Sequence, residues 1–282
     1  MIVDLHTHST VSDGSDAPSR LVRLAVERGL GALALTDHDT QEGWDEAAQA
    51  ALDTDLELIP GVELSLDYPS GGMHLVVLWL TPGPGPLQDH LLELQEGRVT
   101  RNAEIVATLG ELGMPITVAE IDEEAGAGSV GRPHIAAVMA RKGYVPDITT
   151  AFELWLGHGR PAYADRLRLA PDEAIRLARE SGAVPILAHP HTLGITTDTA
   201  MADLLTDLRA WGLVGLEAVY ATYRRHEREG YSDLARRFGL IPSGGSDYHG
   251  TYKTGLELGC GYGDLAVPGV LLDELRSHAA GR

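Results

Sequence analysis

Short apolar runs that lean towards β-branched residues alternate along the chain with stretches of helical spacing, and most of the runs end in histidine or a carboxylate. The runs fall at residues 2–5, 32–36, 56–64, 75–80, 184–188, 215–219 and 241–244. Such alternation builds βα units and a mostly parallel sheet. Seven runs fit an α/β fold whose sheet curls into a distorted barrel better than an open sheet. Helix punctuation supports this: Pro18 stands at a first turn and Gly29 at an end, and Pro171 and Gly182 repeat the device. The stretch from Glu63 to Leu80 differs. Pro69, Ser70, Gly71 and Gly72 supply turn chemistry there. A hairpin at that point returns the chain antiparallel and sets the start of the fourth strand beside the end of the third.

Residues 98–170 break the rhythm. They read as helical near 98–113 and 132–142, and a crossover that long is expected to be an inserted lobe. The expected organisation is a barrel from residues 1–97 and 171–282, with 98–170 as a helical insertion covering the active site. Charge narrows the partners. The 282 residues carry 22 Lys+Arg against 41 Asp+Glu, a net −19, which excludes a broad duplex-DNA surface. Residues 1–97 hold 17 of the acidic side chains and 3 of the basic ones. A single cysteine, Cys260, leaves no intramolecular disulfide. The longest apolar run, Leu75 to Leu80, is too short for a membrane span, and no leader-like segment precedes Asp4. A cytoplasmic protein is expected.

The strand ends carry the chemistry. The first run leads into His6, Thr7 and His8, then Asp13; the second into Asp37, His38 and Asp39. The third carries Glu63, and His74 opens the fourth. The fifth ends at His189, and the seventh at Asp247, Tyr248 and His249. Two histidines at i and i+2 at a strand end reach one cation, because the intervening side chain points to the other face. Ionisable clusters at the carboxyl ends of successive strands are the layout of a barrel active site. The nine ligand candidates are His6, His8, Asp13, His38, Glu63, His74, His189, Asp247 and His249. Six imidazoles and three carboxylates exceed the needs of one ion and suit two or three divalent ions. His90, His158 and His278 match no strand end and read as surface residues. His191 reads equally well as a site-lining or a structural residue, and Asp37 or Asp39 as a carboxylate orienting an imidazole.

The run DLHTHSTVSDGSDAPSRLVRLAVERGLGALALTDHDT, followed by GVEL, AHP and GGSDYHG, resembles the polymerase-and-histidinol-phosphatase (PHP) family of metal-dependent phosphoesterases. The resemblance implies a distorted seven-stranded β/α barrel and a di- or trinuclear centre of manganese, iron or zinc. It would place a first ion on His6, His8, Glu63 and Asp247. A second would lie on Asp13, His38 and a bridging Glu63, and a third on His74, His189 and His249. Gly131-Arg132-Pro133-His134-Ile135-Ala136 is similar to the branch of nucleoside 3′,5′-bisphosphate phosphatases and a 5′-to-3′ exoribonuclease. That similarity assigns phosphate binding to Arg132 and His134, and a further one assigns it to His226.

The expected reaction is hydrolysis of a nucleotide phosphate ester by a metal-bridging hydroxide, with Asp13, His38, Glu63 and Asp247 as the catalytic set. The substrate is a 3′,5′-bisphosphate nucleotide or the 5′ end of a short single-stranded RNA. The alternatives are a histidinol-phosphate or other small phosphomonoester phosphatase and, in another class, a non-catalytic nucleotide-binding module. An amidohydrolase is disfavoured. Many of those need a carboxylated lysine, and neither Lys142 nor Lys253 falls at an expected strand end.

Overall fold

The computed structural model describes residues 1–69, 72–126 and 130–280. Eight strands form one sheet in the order β7-β6-β5-β4-β3-β2-β1-β8. They are β1 (Ile2–Asp4), β2 (Ala32–Leu35), β3 (Glu57–Ser65), β4 (His74–Leu78), β5 (Val184–Ala188), β6 (Gly215–Tyr220), β7 (Ile241–Gly245) and β8 (Val267–Pro268). The first seven match the expected runs. The eighth, two residues long and antiparallel to β1, is too short to leave a periodic signal. The hairpin is present: β4 runs antiparallel to both β3 and β5, with Ser65 opposite His74 and His74 opposite Ala188. The residues Ser70 and Gly71 of its expected turn lie outside the described residues.

The sheet is nearly closed. The Leu5 N–H donates to Gly244 O at 3.2 Å, the Asp247 N–H to His6 O at 2.9 Å and the His8 N–H to Tyr248 O at 2.9 Å. Gly245 permits this approach, because a Cβ on it would lie 2.5 Å from His6 Cβ. Strand residues of one parity, among them Val3, Ala32, Ala34, Ile59, Val76, Val184 and Ile186, form one buried cluster. Residues of the other parity, such as Val62, Leu64, Val77 and Leu187, pack with the surrounding helices.

Those helices are α1 (Pro18–Glu27), α2 (Trp44–Ala51), α3 (Gln88–Glu111), α4 (Val118–Ala125), α5 (Arg132–Arg141), α6 (Ile148–Ala151), α7 (Pro171–Glu180), α8 (Asp198–Trp211), α9 (Arg225–Arg237) and α10 (Gly269–Arg276). Pro18 and Pro171 do open their helices, with Leu21, Val22 and Ala25 buried on α1 and Ile175, Leu177 and Ala178 on α7. The boundary near residue 98 falls inside α3. Its Leu91 and Leu94 belong to the barrel's outer cluster. Its Ile105 and Leu109 belong to a separate core with Ile121, Ile135, Met139 and Leu156. A single turn of π-helix, Phe152–Leu156, follows α6 within this second core. Among the described residues no helix is long and apolar enough to cross a membrane.

Candidate active site

All nine ligand candidates converge at the carboxyl end of the parallel strands. The donor atoms of His6, His8, Glu63 and Asp247 lie within 4.8 Å of one another. So do those of His8, Asp13, His38 and His249, and those of His38, Glu63 and His74. Glu63 is the hub. Its Oε2 lies 3.3 Å from His6 Nε2, 3.1 Å from His8 Nε2 and 3.3 Å from His38 Nδ1. Its Oε1 lies 2.9 Å from both His74 Nδ1 and His189 Nε2. The antiparallel course of β4 explains His74: the strand starts where its neighbours end.

The grouping differs from expectation at one residue. His249 does not join His74 and His189; its Nε2 lies 3.2 Å from Asp13 Oδ1 and its ring stacks on His8 at 4.1 Å. The segment after β7 runs beside the one after β1, as the Ser15 N–H to His249 O bond shows, and this carries His249 to the Asp13 side.

Backbone strain concentrates at the cluster. Among the described residues four non-glycines have positive φ, and three of them are Asp39 (56°), His189 (24°) and Asp247 (52°). Conformations of this kind persist where the surroundings over-determine them. The bracing is visible. Asp37 accepts from the Ser9 N–H and from the Ser9 and Ser12 hydroxyls, fixing the segment that carries His8 and Asp13. Asp4 accepts from Ser246 N–H and Oγ and from the Gly259 N–H, anchoring the approach to Asp247. Neither Asp37 nor Asp39 bonds an imidazole. That task falls to Glu217 of β6, which accepts from His6 Nδ1 at 3.0 Å and from the His189 N–H at 2.7 Å. Asp247 turns Oδ1 towards His6 and His8, while its Oδ2 accepts from the Tyr220 hydroxyl at 2.7 Å and from the Lys253 ammonium. Lys253 therefore reaches the site although it stands six residues beyond Asp247.

The donor set fits divalent metal. His6 Nε2, His8 Nε2 and His38 Nδ1 are buried and make no hydrogen bond of acceptable geometry, yet each lies close to carboxylate oxygens. Burying polar atoms unpaired is costly, and a cation between imidazole and carboxylate removes the cost. Burial alone would raise the carboxylates, but His38, His6 and His74 hold Glu63 well below its ordinary range. Lys253, His6 and His249 do the same for Asp247, and His38 and His249 for Asp13. Burial lowers His38, His74 and His249. Ionised carboxylates and neutral imidazoles are the forms that bind metal, and the three carboxylates, His38, His74 and His249 are held in those forms.

Asp13, His38 and His74 also line a cavity of about 170 Å³ whose other walls carry Arg98, Arg101, Arg132, Arg166 and Arg168. Only Arg132 was singled out from the sequence. It sits at the first turn of α5, donates to Leu156 O at 3.1 Å and lies over the rings of Phe152 and Tyr163. Arg101 donates to Asn102 Oδ1 rather than to a carboxylate. Arg98 and Arg166 meet Asp39. Burial, against the pull of Asp39, together with Arg98 and Arg168, pushes the Arg166 guanidinium down to about 10. The residues of α3 that share a buried face include Leu94, Arg98, Arg101, Asn102 and Ile105, so arginines and an asparagine interrupting an apolar stripe are the readable signal.

His134 is fully buried at the same junction. The Gly131 N–H donates to its Nδ1 at 2.9 Å, which puts the ring proton on Nε2, and Nε2 has no partner. His226 is exposed on the first turn of α9 and is not among the side chains lining the cavity. His158 and His278 are exposed and His90 is half-buried. His191, also exposed, bonds the Tyr223 hydroxyl through Nδ1 at 2.9 Å.

Comparisons with known proteins agree with this geometry. The PHP domain model matches residues 4–98. A 5′-3′ exoribonuclease of Haemophilus influenzae is 35% identical over 87% of this chain and 89% of its own. A 3′,5′-nucleoside bisphosphate phosphatase of Chromobacterium violaceum is 30% identical over 91% of this chain and 90% of its own. A Bifidobacterium adolescentis protein described as a metal-dependent phosphoesterase superposes with TM-score 0.86 at 26% identity, covering 99% of this chain and 96% of that one. A Chromobacterium violaceum structure with bound sulfate, described as an amidohydrolase, gives 0.86 at 28% identity, covering 99% of this chain and 97% of that one. The chain belongs to the PHP-domain family. It is a metal-dependent hydrolase of phosphate esters.

Proposed function

We propose that the protein hydrolyses a phosphate ester of a nucleotide that carries a second phosphate, a nucleoside 3′,5′-bisphosphate being the best fit. The observation that carries this reading is the composition of the cavity. One side is made of Asp13, His38 and His74; the other presents five arginines, against which Asp39 is the buried carboxylate. Such an excess of desolvated guanidinium matches a dianion bound in bidentate fashion. One phosphate then rests over the carboxylate–imidazole cluster while the other is held by the arginines.

His6, His8, Glu63 and Asp247 would hold one ion and Asp13, His38 and His249 a second, with Glu63 also reaching His74 and His189 for a third. When bound, the ions supply Lewis-acid polarisation of the phosphoryl group and activation of the attacking water. The chain's own residues do the rest. Arg132 fixes the phosphate oxygens, and His134 Nε2–H is a ready donor to one of them. Glu217, Tyr220 and Lys253 hold His6 and Asp247 in their coordinating orientations. Residues 98–170 act as a lobe that closes the cavity from above and excludes bulk water, which strengthens these contacts.

The same arrangement accommodates the 5′-phosphorylated end of a short RNA, whose terminal phosphate takes the arginine side. That second reading is favoured by the relationship to the Haemophilus influenzae exoribonuclease. Turnover of adenosine 3′,5′-bisphosphate, a 5′-phosphorylated short RNA and histidinol phosphate, each with manganese and with zinc, separates the readings. The bisphosphate is expected to give the highest kcat/KM. Preferred hydrolysis of histidinol phosphate would overturn the nucleotide assignment.

A further inference from the structure

We infer that Asp39 is the positioning residue that gives the arginine cavity its preference for a second phosphate, an inference that rests on the reading above. Asp39 follows His38 directly, and its main chain is held from both sides. Its N–H donates to Glu63 O at 3.1 Å, and its carbonyl accepts from Gln95 Nε2 at 3.1 Å. The residue is fully buried and has a φ of 56°, a left-handed conformation that aspartate tolerates better than most residues. Its side chain, set behind the cavity wall, bridges two of the arginines that line it. Oδ2 accepts from Arg98 Nε at 2.6 Å and lies 2.9 Å from a terminal nitrogen of Arg166.

Those two arginines come from opposite ends of the inserted segment, Arg98 from α3 and Arg166 from the return before α7. One carboxylate therefore draws together both strands of chain by which the insertion leaves and rejoins the barrel. The mode of contact matters. Arg98 is gripped through Nε, so the grip leaves its two terminal nitrogens to other partners. Arg166 NH1 and NH2 are buried and make no hydrogen bond of good geometry. A guanidinium has five N–H donors, and this grip engages one nitrogen of each arginine. Asp39 beneath Arg98 and Arg166, and Asp165 beside Arg168, limit the mutual repulsion of the five guanidiniums without neutralising the site.

Asp39 also sets a distance. Because it is bonded in sequence to His38, the ligand cluster and the arginine pair share one rigid turn of backbone. The separation between the phosphate being cleaved and the phosphate being held is thereby fixed, which is a condition for telling a bisphosphate from a monophosphate.

The test compares kcat/KM for adenosine 3′,5′-bisphosphate and adenosine 3′-monophosphate in the manganese-loaded full-length enzyme, with and without Asp39→Asn. The bisphosphate preference is expected to shrink about tenfold, mainly through KM. In an Arg166→Gln background the same substitution is expected to cost little more, because the two act as one unit. Should Asp39→Asn fail to fold, Asp39→Glu, which keeps the charge but displaces it by one methylene, is expected to erode the same preference. Equal proportional loss on both substrates, or simple additivity with Arg166→Gln, would overturn the inference. An unsubstituted enzyme with no preference for the bisphosphate would instead overturn the functional reading on which it rests.

Discussion

Glu217 accepts a hydrogen bond from His6 Nδ1 at 3.0 Å, with both side chains almost wholly buried. The bond fixes the His6 tautomer and turns Nε2 towards Glu63 and Asp247. The charge on Glu217 also makes that nitrogen a better ligand. Glu217→Gln keeps the shape and removes the charge. Manganese affinity, measured by calorimetry, is expected to fall about 10- to 100-fold, with a smaller loss in activity at saturating metal. Unchanged affinity would remove Glu217 from the account.

Arg132 is held by Leu156 O and by the faces of Phe152 and Tyr163, so its position survives without substrate. Truncation to alanine removes a charge-assisted contact of about 1.5–3 kcal/mol. The expected result is a 10- to 100-fold loss in kcat/KM. Added salt should weaken the bisphosphate's apparent affinity in the native enzyme more than in the variant. A variant with native kcat/KM would show that Arg132 does not touch the phosphate.

The metal-free protein should bind metal with release of protons. Burial opposes charge on His8, but the Asp247 and Glu63 carboxylates beside its ring outweigh burial and raise it from 6.5 to about 9. His6 is likewise raised well above its ordinary value by Glu63, Glu217 and Asp247 against burial. For a raised histidine the stabilisation is fully present below the unfolded value of 6.5 and is lost as pH rises through the folded one. His8 therefore makes the metal-free protein less stable as pH climbs from 6.5 towards 9, and His6 acts in the same direction. Metal needs the neutral ring, so binding at pH 7.5 is expected to expel about two protons. Calorimetry in buffers of different ionisation enthalpy measures this; heats independent of the buffer would contradict it.

What the sequence disclosed follows from where each residue sits. The nine ligand candidates end strands, and a polar cluster after an apolar run is a local pattern that survives without coordinates. His74 was legible because Pro69 and Gly72 flagged the hairpin. That His249 lies with Asp13 and His8 rather than with His74 and His189 is not legible in the sequence, because the pairing of the segments after β1 and β7 is tertiary. Glu217 alternates with Leu216 and Ala218 within β6, so it reads like the polar face of a half-exposed strand; only packing shows it buried. In Arg166-Leu167-Arg168 the pattern inverts, since the arginine side chains turn inward while Leu167 is 54% exposed. A functional cavity that needs buried charge reverses the usual sidedness, and sequence periodicity alone assigns the wrong face. The eighth strand and the continuity of α3 across residue 98 were hidden for a simpler reason: neither changes the local spacing of apolar residues.

This cluster of imidazoles and carboxylates hydrolyses phosphate esters only when it holds metal. The direct measurement is phosphate release from adenosine 3′,5′-bisphosphate by chelator-stripped enzyme titrated with manganese, with bound metal counted in the same samples. Turnover should be absent at the start and rise in step with bound metal until the cluster is filled, and Asp247→Ala should not recover it. Full turnover in the stripped enzyme, or stoichiometric metal with no hydrolysis of any phosphoester tried, would rule out metal-dependent phosphoester hydrolysis at this cluster.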